Sequence, residues 1–236
     1  MTTDLLSIEQ PVVVNLSQVK KVFKIGDTRL AVLKDLDLQC RKNEFIILTG
    51  PSGSGKSTIL SIIGGLMQVD EGTVKIFDHN LTTSDEEDLA IFRSTYIGFV
   101  FQTGHLIDSL TVLENVMLPV ELAQRVDRDE HEKRAWELLE EFKLSERANS
   151  LPVLISGGEY QRCAFVRAFI LDPDLLLVDE PTSNQDSQTS ESIINKLSTT
   201  KGKKTIIVIT HDRKIFPLAD RIFIPKDGKL IPYEKD

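Results

Sequence analysis

At 236 residues, 41% of them hydrophobic, the chain is long enough for one substantial core, or one core with a subdomain, but not for two independent domains. Its 28 basic against 36 acidic residues leave a net charge of −8, which excludes a global basic footprint, so no nucleic-acid partner is expected. The two cysteines, Cys40 and Cys163, sit in neither a C-x-x-C nor a Cys/His ligand spacing, so they read as core-packing residues suited to a reducing cytoplasm.

The opening MTTDLLSIEQP lacks a basic segment followed by a long apolar one, so no signal peptide is expected. No apolar run approaches the roughly 20 residues needed to cross a bilayer, and action at a membrane would require another chain to span it. Residues 12–40 alternate as strands, VVVNLSQV and then LAVLKDLDLQC around the turn KIGDTR, predicting an antiparallel sheet. Phe23, just before that turn, reads either as a core ring or as an exposed platform for a flat base.

The stretch FIILTGPSGSGKSTIL, Phe45 to Leu60, reads as strand, phosphate loop and helix. Gly50, Gly55, Lys56 and Ser57 meet the pattern G-x-x-x-x-G-K-[ST], and the small residues Ser52, Gly53, Ser54 and Gly55 leave backbone N–H groups free to face a polyphosphate. The helix beginning near Lys56 adds its positive dipole end, the Lys56 ammonium suits β and γ phosphates, and the Ser57 hydroxyl is a magnesium ligand. ATP or GTP with Mg²⁺ is therefore expected.

After that helix, predicted to run to about Leu66, EGTVKIFDHN reads as another strand. Ser84 with Glu87 forms an expected capping box ahead of Leu89, Ala90, Ile91 and Phe92. The apolar run Tyr96 to Phe101 ends in Gln102. Thr111 to Leu144 is rich in helix formers, with Ala135, Leu138, Leu139 and Phe142 on one face. In LPVLISGGEYQR, Ser156, Gly157 and Gly158 open a further helix, either as an anion site or simply as a cap.

The buried strand Leu175 to Val178 ends in Asp179 and Glu180. Side chains just past the carboxyl ends of parallel strands converge on the ligand crevice, so Asp179 is a candidate for Mg²⁺ and Glu180 for orienting or deprotonating a water. Residues 205–210, TIIVIT, form a second buried strand ending at His211 and Asp212. That context separates His211 from His79, His105 and His131, which read as ordinary surface or core residues. RIFIPKDGKLIP predicts a hairpin turning at Asp227 and Gly228.

The ordered set GPSGSGKST, Gln102, ISGGEYQR, LLLVDEPTSNQD and ITHD closely resembles the ATP-binding subunit of an ABC transporter, over about residues 12–231. IGFVFQ, LTVLENVMLP and TRLAVLKDLDL look like the lipoprotein-releasing, macrolide-export, haem-export and cell-division group. The resemblance implies one α/β domain over 1–236: a P-loop NTPase core with a mainly parallel sheet and an N-terminal antiparallel β subdomain (about 12–100 and 160–231), and a helical subdomain carrying the signature (about 103–159). It implies that Phe23 stacks on adenine and that Gly50, Pro51, Ser52, Gly53, Ser54, Gly55, Lys56, Ser57 and Thr58 hold the phosphates. It further implies that Gln102 contacts magnesium and the attacking water, that Asp179 holds magnesium through water, that Glu180 is general base and that His211 contacts the γ-phosphate. Ser156, Gly157 and Gly158 then press on the γ-phosphate of ATP bound to the opposite subunit, with Asp186 between the two sites.

Ile155 stands where leucine is usual in that family, Glu159 where glutamine is frequent, and Asn184 and Gln185 where small and apolar residues are usual. Neither of the first two changes removes the serine hydroxyl or the glycine backbone, and the last two bear on communication between sites. The resemblance implies ATP, Mg²⁺, a homodimer with two competent sites, and an integral membrane permease on the cytoplasmic face of the inner membrane. Residues Thr103 to Asn115 are expected to receive the permease's cytoplasmic helix. A translation-type ABC protein would carry two cassettes, a chromosome or repair ATPase would need a coiled-coil insertion, and a small-molecule kinase has no need of ISGGEYQR or of Glu180 beside Asp179. A role in transmembrane signalling to cell-wall enzymes is the alternative within the group.

Overall fold

The computed structural model describes residues 10–123, 126–183 and 185–233. The N-terminal residues read above for targeting, and Asn184, lie outside the described residues. Strands β1 (Val12–Ile25) and β2 (Thr28–Arg41) pair antiparallel as one long hairpin, and β4 (Glu71–Ile76) with the short β5 (His79–Asn80) extends this sheet in the order β2-β1-β4-β5. The hairpin turn tightens to Gly26 and Asp27, narrower than the six-residue turn expected.

The second sheet has the order β10-β9-β3-β8-β7-β6. It comprises β3 (Phe45–Leu48), β6 (Ile97–Val100), β7 (Leu175–Asp179), β8 (Thr205–Ile209), β9 (Arg221–Lys226) and β10 (Lys229–Pro232). Its pairs are parallel except for the β9/β10 hairpin, which turns at Asp227 and Gly228 as expected.

Period-two alternation splits the central strands between two cores. Phe45, Ile47, Leu176, Val178, Ile206 and Val208 face one, while Ile46, Leu48, Leu175, Leu177, Ile207 and Ile209 face the other. Strands buried on both faces are apolar runs: FIIL and LLLV at every position, and TIIVI after Thr205.

The first core is covered by α3 (Val112–Leu122), α4 (Arg128–Glu141), α5 (Gly157–Phe169) and α6 (Ser187–Thr200). The expected apolar face of α4 supplies Ala135, Leu138 and Leu139, with Phe142 just beyond, its ring 5.7 Å from that of Phe165. The second core receives α1 (Lys56–Ile63), α2 (Glu86–Tyr96) and the inner face of the antiparallel sheet. Each fully buried Leu, Ile or Phe here contributes about 1.5–3 kcal/mol relative to exposure.

Two local expectations are corrected. Helix α1 stops at Ile63, because Gly64 and Gly65 follow and Gly65 has a φ of 64°. Helix α2 is capped by Asp85, whose carboxylate accepts from Asp88 N–H at 2.9 Å. Ser84 instead donates its hydroxyl to the Asn80 carbonyl at 3.0 Å, so the Ser84–Glu87 box does not form. Asp is as good an N-cap as Ser, and one residue of slip decides between them.

Candidate nucleotide site

Register brings the site's loops together. Leu48 pairs with Ile209, Ile209 with Asp179, and Val178 with Val100, so β3, β8, β7 and β6 end at one level. The chain leaves them as the glycine loop, as His211, as Glu180 and as Gln102 respectively. Backbone bonds tie the crest: Glu180 N–H donates to the Ile209 carbonyl at 2.8 Å and Thr210 N–H to the Leu48 carbonyl at 3.2 Å.

The loop wraps Lys56. Its ammonium donates to the Gly50 and Pro51 carbonyls at 2.6 and 2.8 Å. Burial lowers the Lys56 pKa below the ordinary lysine value, and the nearby Glu180 and Asp179 carboxylates oppose that shift. Gly55 caps α1 with a φ of 96°, where a Cβ would also stand 3.0 Å from Val32 Cγ1, so only glycine serves there. Among the described residues the Ser54 hydroxyl is buried without a hydrogen-bond partner, a polar group that a phosphate oxygen in the loop would satisfy.

Burial raises the Asp179 pKa above the ordinary aspartate value, the neighbouring Ser57 hydroxyl opposes the rise and Glu180 adds to it. This hydroxyl and carboxylate side by side are a hard-oxygen pair that fits Mg²⁺, an ion usually held by few protein oxygens together with phosphates and waters. Glu180 sits at φ 46°, a left-handed backbone uncommon outside glycine. One oxygen lies 3.3 Å from His211 Nε2 and the other accepts from Ser183 Oγ at 2.9 Å. Next to them the Thr182 hydroxyl donates to Asp212 at 3.1 Å, and Thr210 Oγ1 accepts from Asp212 N–H at 3.0 Å. Reading the chain by strand ends found Glu180 and His211 but assigned nothing to Thr182, Ser183 or Asp212. Only the three-residue spacing from Glu180 to Ser183 hinted at their use.

Gln102 is exposed in the turn after β6. Phe23 is half-buried on β1 opposite Leu30, with the Lys21 ammonium 5.8 Å from its ring centre. Among the described residues it belongs to neither core.

Ser156, Gly157, Gly158 and Asp186 form a second cluster. Ser156 caps α5 in a full capping box: its backbone N–H and hydroxyl donate to the Glu159 carboxylate at 2.8 and 2.9 Å, and Ser156 Oγ accepts from Glu159 N–H at 3.3 Å. These bonds hold the Glu159 carboxyl below the usual range, and Arg147, at 3.0 Å, adds to the effect. Asp186 caps α6 through Thr189, whose hydroxyl also accepts from Arg162 at 2.6 Å. Among the described residues nothing stands within 4 Å of a Cβ on Gly157, whereas a Cβ on Gly158 would stand 2.6 Å from both Asp186 Oδ2 and Thr189 Oγ1. Gln185 donates to the Ser183 carbonyl at 3.3 Å.

Comparison with known proteins agrees with this geometry. A family model described as ABC transporter matches residues 33–183. The putative hemin import ATP-binding protein HrtA of Staphylococcus haemolyticus is 41% identical over 217 residues, 91% of this chain and 97% of that protein. The lipoprotein-releasing system ATP-binding protein LolD of Treponema denticola is 40% identical over 220 residues, 92% and 97% of the two chains. The ATP-binding cassette MJ0796, in a dimeric post-hydrolysis structure bound to ADP and Pi, matches with a TM-score of 0.88 at 39% identity, covering 94% of this chain and 98% of that one; the protein comes from Methanocaldococcus jannaschii. With that family model spanning more than half of the chain and these relatives spanning nearly all of it, the chain belongs to the ABC transporter family, as an ATP-binding cassette with ATP hydrolase activity.

Proposed function

We propose that the chain is the ATP-driven motor of a transporter whose membrane-spanning permease is a separate chain, and that it works as a homodimer on the cytoplasmic face of the cell membrane. One observation carries the reading: Lys56, Ser57, Asp179, Glu180 and His211 gather at the strand ends of a chain that also carries a fully formed cap at Ser156. Two copies therefore hold the parts of two equal sites. Among the described residues no helix is long and apolar enough to cross a membrane.

In this reading the loop from Gly50 to Thr58 holds the phosphates of ATP, Lys56 exchanges its loop carbonyls for β and γ oxygens, and Phe23 offers its half-exposed ring to adenine. Ser57 and Asp179, with Gln102, would hold Mg²⁺, which when bound would neutralise developing charge on the phosphates. Glu180 takes the proton of the attacking water, its carboxylate aimed by Ser183, and His211 is placed beside it toward the γ-phosphate. Ser156, Gly157 and Gly158 serve ATP bound to the partner copy, with Asp186 linking the two sites. The helical subdomain of about 103–159 carries the signature away from the core.

The permease's cytoplasmic helix docks on Thr103 to Asn115, with one refinement. Leu106 and Asn115 are buried, while Ile107 is 42% exposed, so Ile107 is the residue to probe. The movement is export or extraction; among relatives LolD is named for lipoprotein release and HrtA for import. Solubilising membranes from cells that express the chain, capturing it in MgATP and identifying what accompanies it tests the proposal. An integral membrane protein with a large domain outside the membrane is expected, and recovery of the chain without any membrane protein overturns the motor reading.

A further inference from the structure

The ring of Phe23 is backed by a lysine that is tied to the loop after α1. Lys21, two residues before it, has a side chain only 16% exposed, and its ammonium lies 5.8 Å from the centre of the Phe23 ring, within the range of a cation–π contact. That ammonium is itself fixed: it donates to the Gln68 carbonyl at 2.7 Å and stands 3.6 Å from one Asp70 oxygen. The other Asp70 oxygen accepts from Val22 N–H at 2.6 Å, and Asp70 N–H donates to the Lys20 carbonyl at 3.0 Å. Met67 and Val69, interleaved with Gln68 and Asp70, pack against the second core and anchor the loop. On its other edge the same stretch of β1 shifts register against β2: Lys21 pairs with Leu33 but Val22 with Ala31, so Val32 is the extra residue of a bulge. A Cβ on Gly55 would stand 3.0 Å from Val32 Cγ1 and 3.3 Å from Leu33 Cδ2, so the bulge seats β2 on the phosphate loop.

We infer that Lys21 is a positioning residue for the nucleotide base: held by Gln68 and Asp70, its ammonium occupies one face of Phe23 and leaves the opposite face to the purine, at a set distance from the phosphate loop. The inference rests on the adenine role proposed above for Phe23. A cation over one face of a ring draws π density toward itself, which favours stacking of an electron-rich purine on the other face. The lysine is already immobilised by its loop partners, so base binding does not have to order it.

Titrating the whole chain by calorimetry with MgATP and with magnesium tripolyphosphate separates base from phosphates, because tripolyphosphate has nothing to stack. Lys21→Met keeps the length and apolar stem of the side chain and removes the charge. It should weaken ATP binding about three- to fivefold and leave tripolyphosphate within about twofold, and it should weaken neither further in a Phe23→Leu background. Asp70→Ala, which releases Val22 N–H and the Lys21 ammonium, should lower the preference for ATP in the same sense. If Lys21→Met weakens both ligands alike, or weakens ATP by the same factor in the Phe23→Leu background, the lysine is a brace for the fold and the inference falls. If Phe23→Leu lowers the preference for ATP while Lys21→Met and Asp70→Ala do not, the inference alone is overturned. If Phe23→Leu leaves that preference intact, the adenine role of Phe23 fails and the inference falls with it.

Discussion

Glu180 and His211 meet across the ends of adjacent strands, Oε1 to Nε2 at 3.3 Å, while the second Glu180 oxygen is held by Ser183 at 2.9 Å. Both oxygens of the carboxylate are thus engaged, and its backbone sits at φ 46°. A strained residue whose side chain is fixed on both sides is pre-organised, and the surrounding hydrogen bonds offset that strain.

Glu180→Gln should abolish ATP turnover while leaving ATP affinity within a fewfold of wild type. The amide keeps the size and the contact with Ser183 but cannot accept a proton from water. ATP should then trap a closed dimer. Size-exclusion chromatography in MgATP is the check, and a variant that elutes as a monomer at saturating ATP contradicts the assignment.

Lys56→Ala should weaken ATP binding itself, by about tenfold or more, because it removes a ground-state charge from the phosphates and the ammonium that closes the loop through Gly50 and Pro51. Titration calorimetry separates this from a defect confined to turnover. An unchanged affinity would return Lys56 to a purely structural role.

Asp179→Asn should stabilise the nucleotide-free chain and destroy its response to magnesium. Burial raises the Asp179 pKa above the ordinary aspartate value, so its charge is unfavourable in the folded state at neutral pH. That penalty is present above the raised folded value and disappears as pH falls through it toward the unfolded value, because the native carboxyl then takes up a proton. The variant should melt about 2–4 °C higher for each kcal/mol of charge penalty removed. Its advantage should shrink as pH falls through that window. Calorimetry with ATP, in magnesium and in chelator, should show an added magnesium effect in wild type and none in the variant.

Strand ends were what the amino-acid order made legible. FIIL, LLLV and IIVI are apolar at every position because both faces are covered, and each stops at a residue that chemistry marks: Thr49 before the loop, Asp179, and Thr210 before His211. The glycines of the phosphate loop were legible for a similar reason, since the loop is local in sequence. Contacts between distant segments were not. Tyr160 against Gly104, Arg162 against Thr189 and Gly158 against Asp186 depend on how α5 lies on its neighbours, and periodicity reports only which face of a helix is apolar. Ser84 and Asp85 show the other limit: adjacent residues with equal capping strength leave a helix start uncertain by one position.

Gly157 and Gly158 should respond differently to alanine. A Cβ on Gly158 meets Asp186 and Thr189, both short side chains already held by hydrogen bonds, so Gly158→Ala should cost about 1–3 kcal/mol and lower the melting temperature accordingly. Gly157→Ala enters open space and should leave the melting temperature within a degree or two, yet weaken ATP-dependent dimerisation by adding bulk to the face offered to the partner. Thermal melts paired with analytical ultracentrifugation in MgATP check both. Equal melting temperatures for the two variants would contradict the packing at Gly158.

The shared site has its own test in mixed dimers of two damaged chains, one carrying Lys56→Ala and the other Gly157→Asp. Among the described residues nothing lies within 4 Å of the Gly157 Cβ position, so the fold should accept the aspartate, and in a shared site its carboxylate would stand against the γ-phosphate of the partner's ATP. Homodimers of either chain carry a lesion at both sites. When Lys56 of one copy and Gly157 of the other serve the same nucleotide, the mixed dimer holds one site with both lesions and one with neither, so occluded ATP should reappear on mixing. When both elements serve their own chain, every site keeps a lesion and nothing is occluded. Occlusion is the better readout because hydrolysis can require two intact sites. Mixed dimers that form, as verified by two distinguishable tags, yet occlude no nucleotide would rule out sharing across the dimer, leaving a phosphate-loop ATPase that acts within one chain.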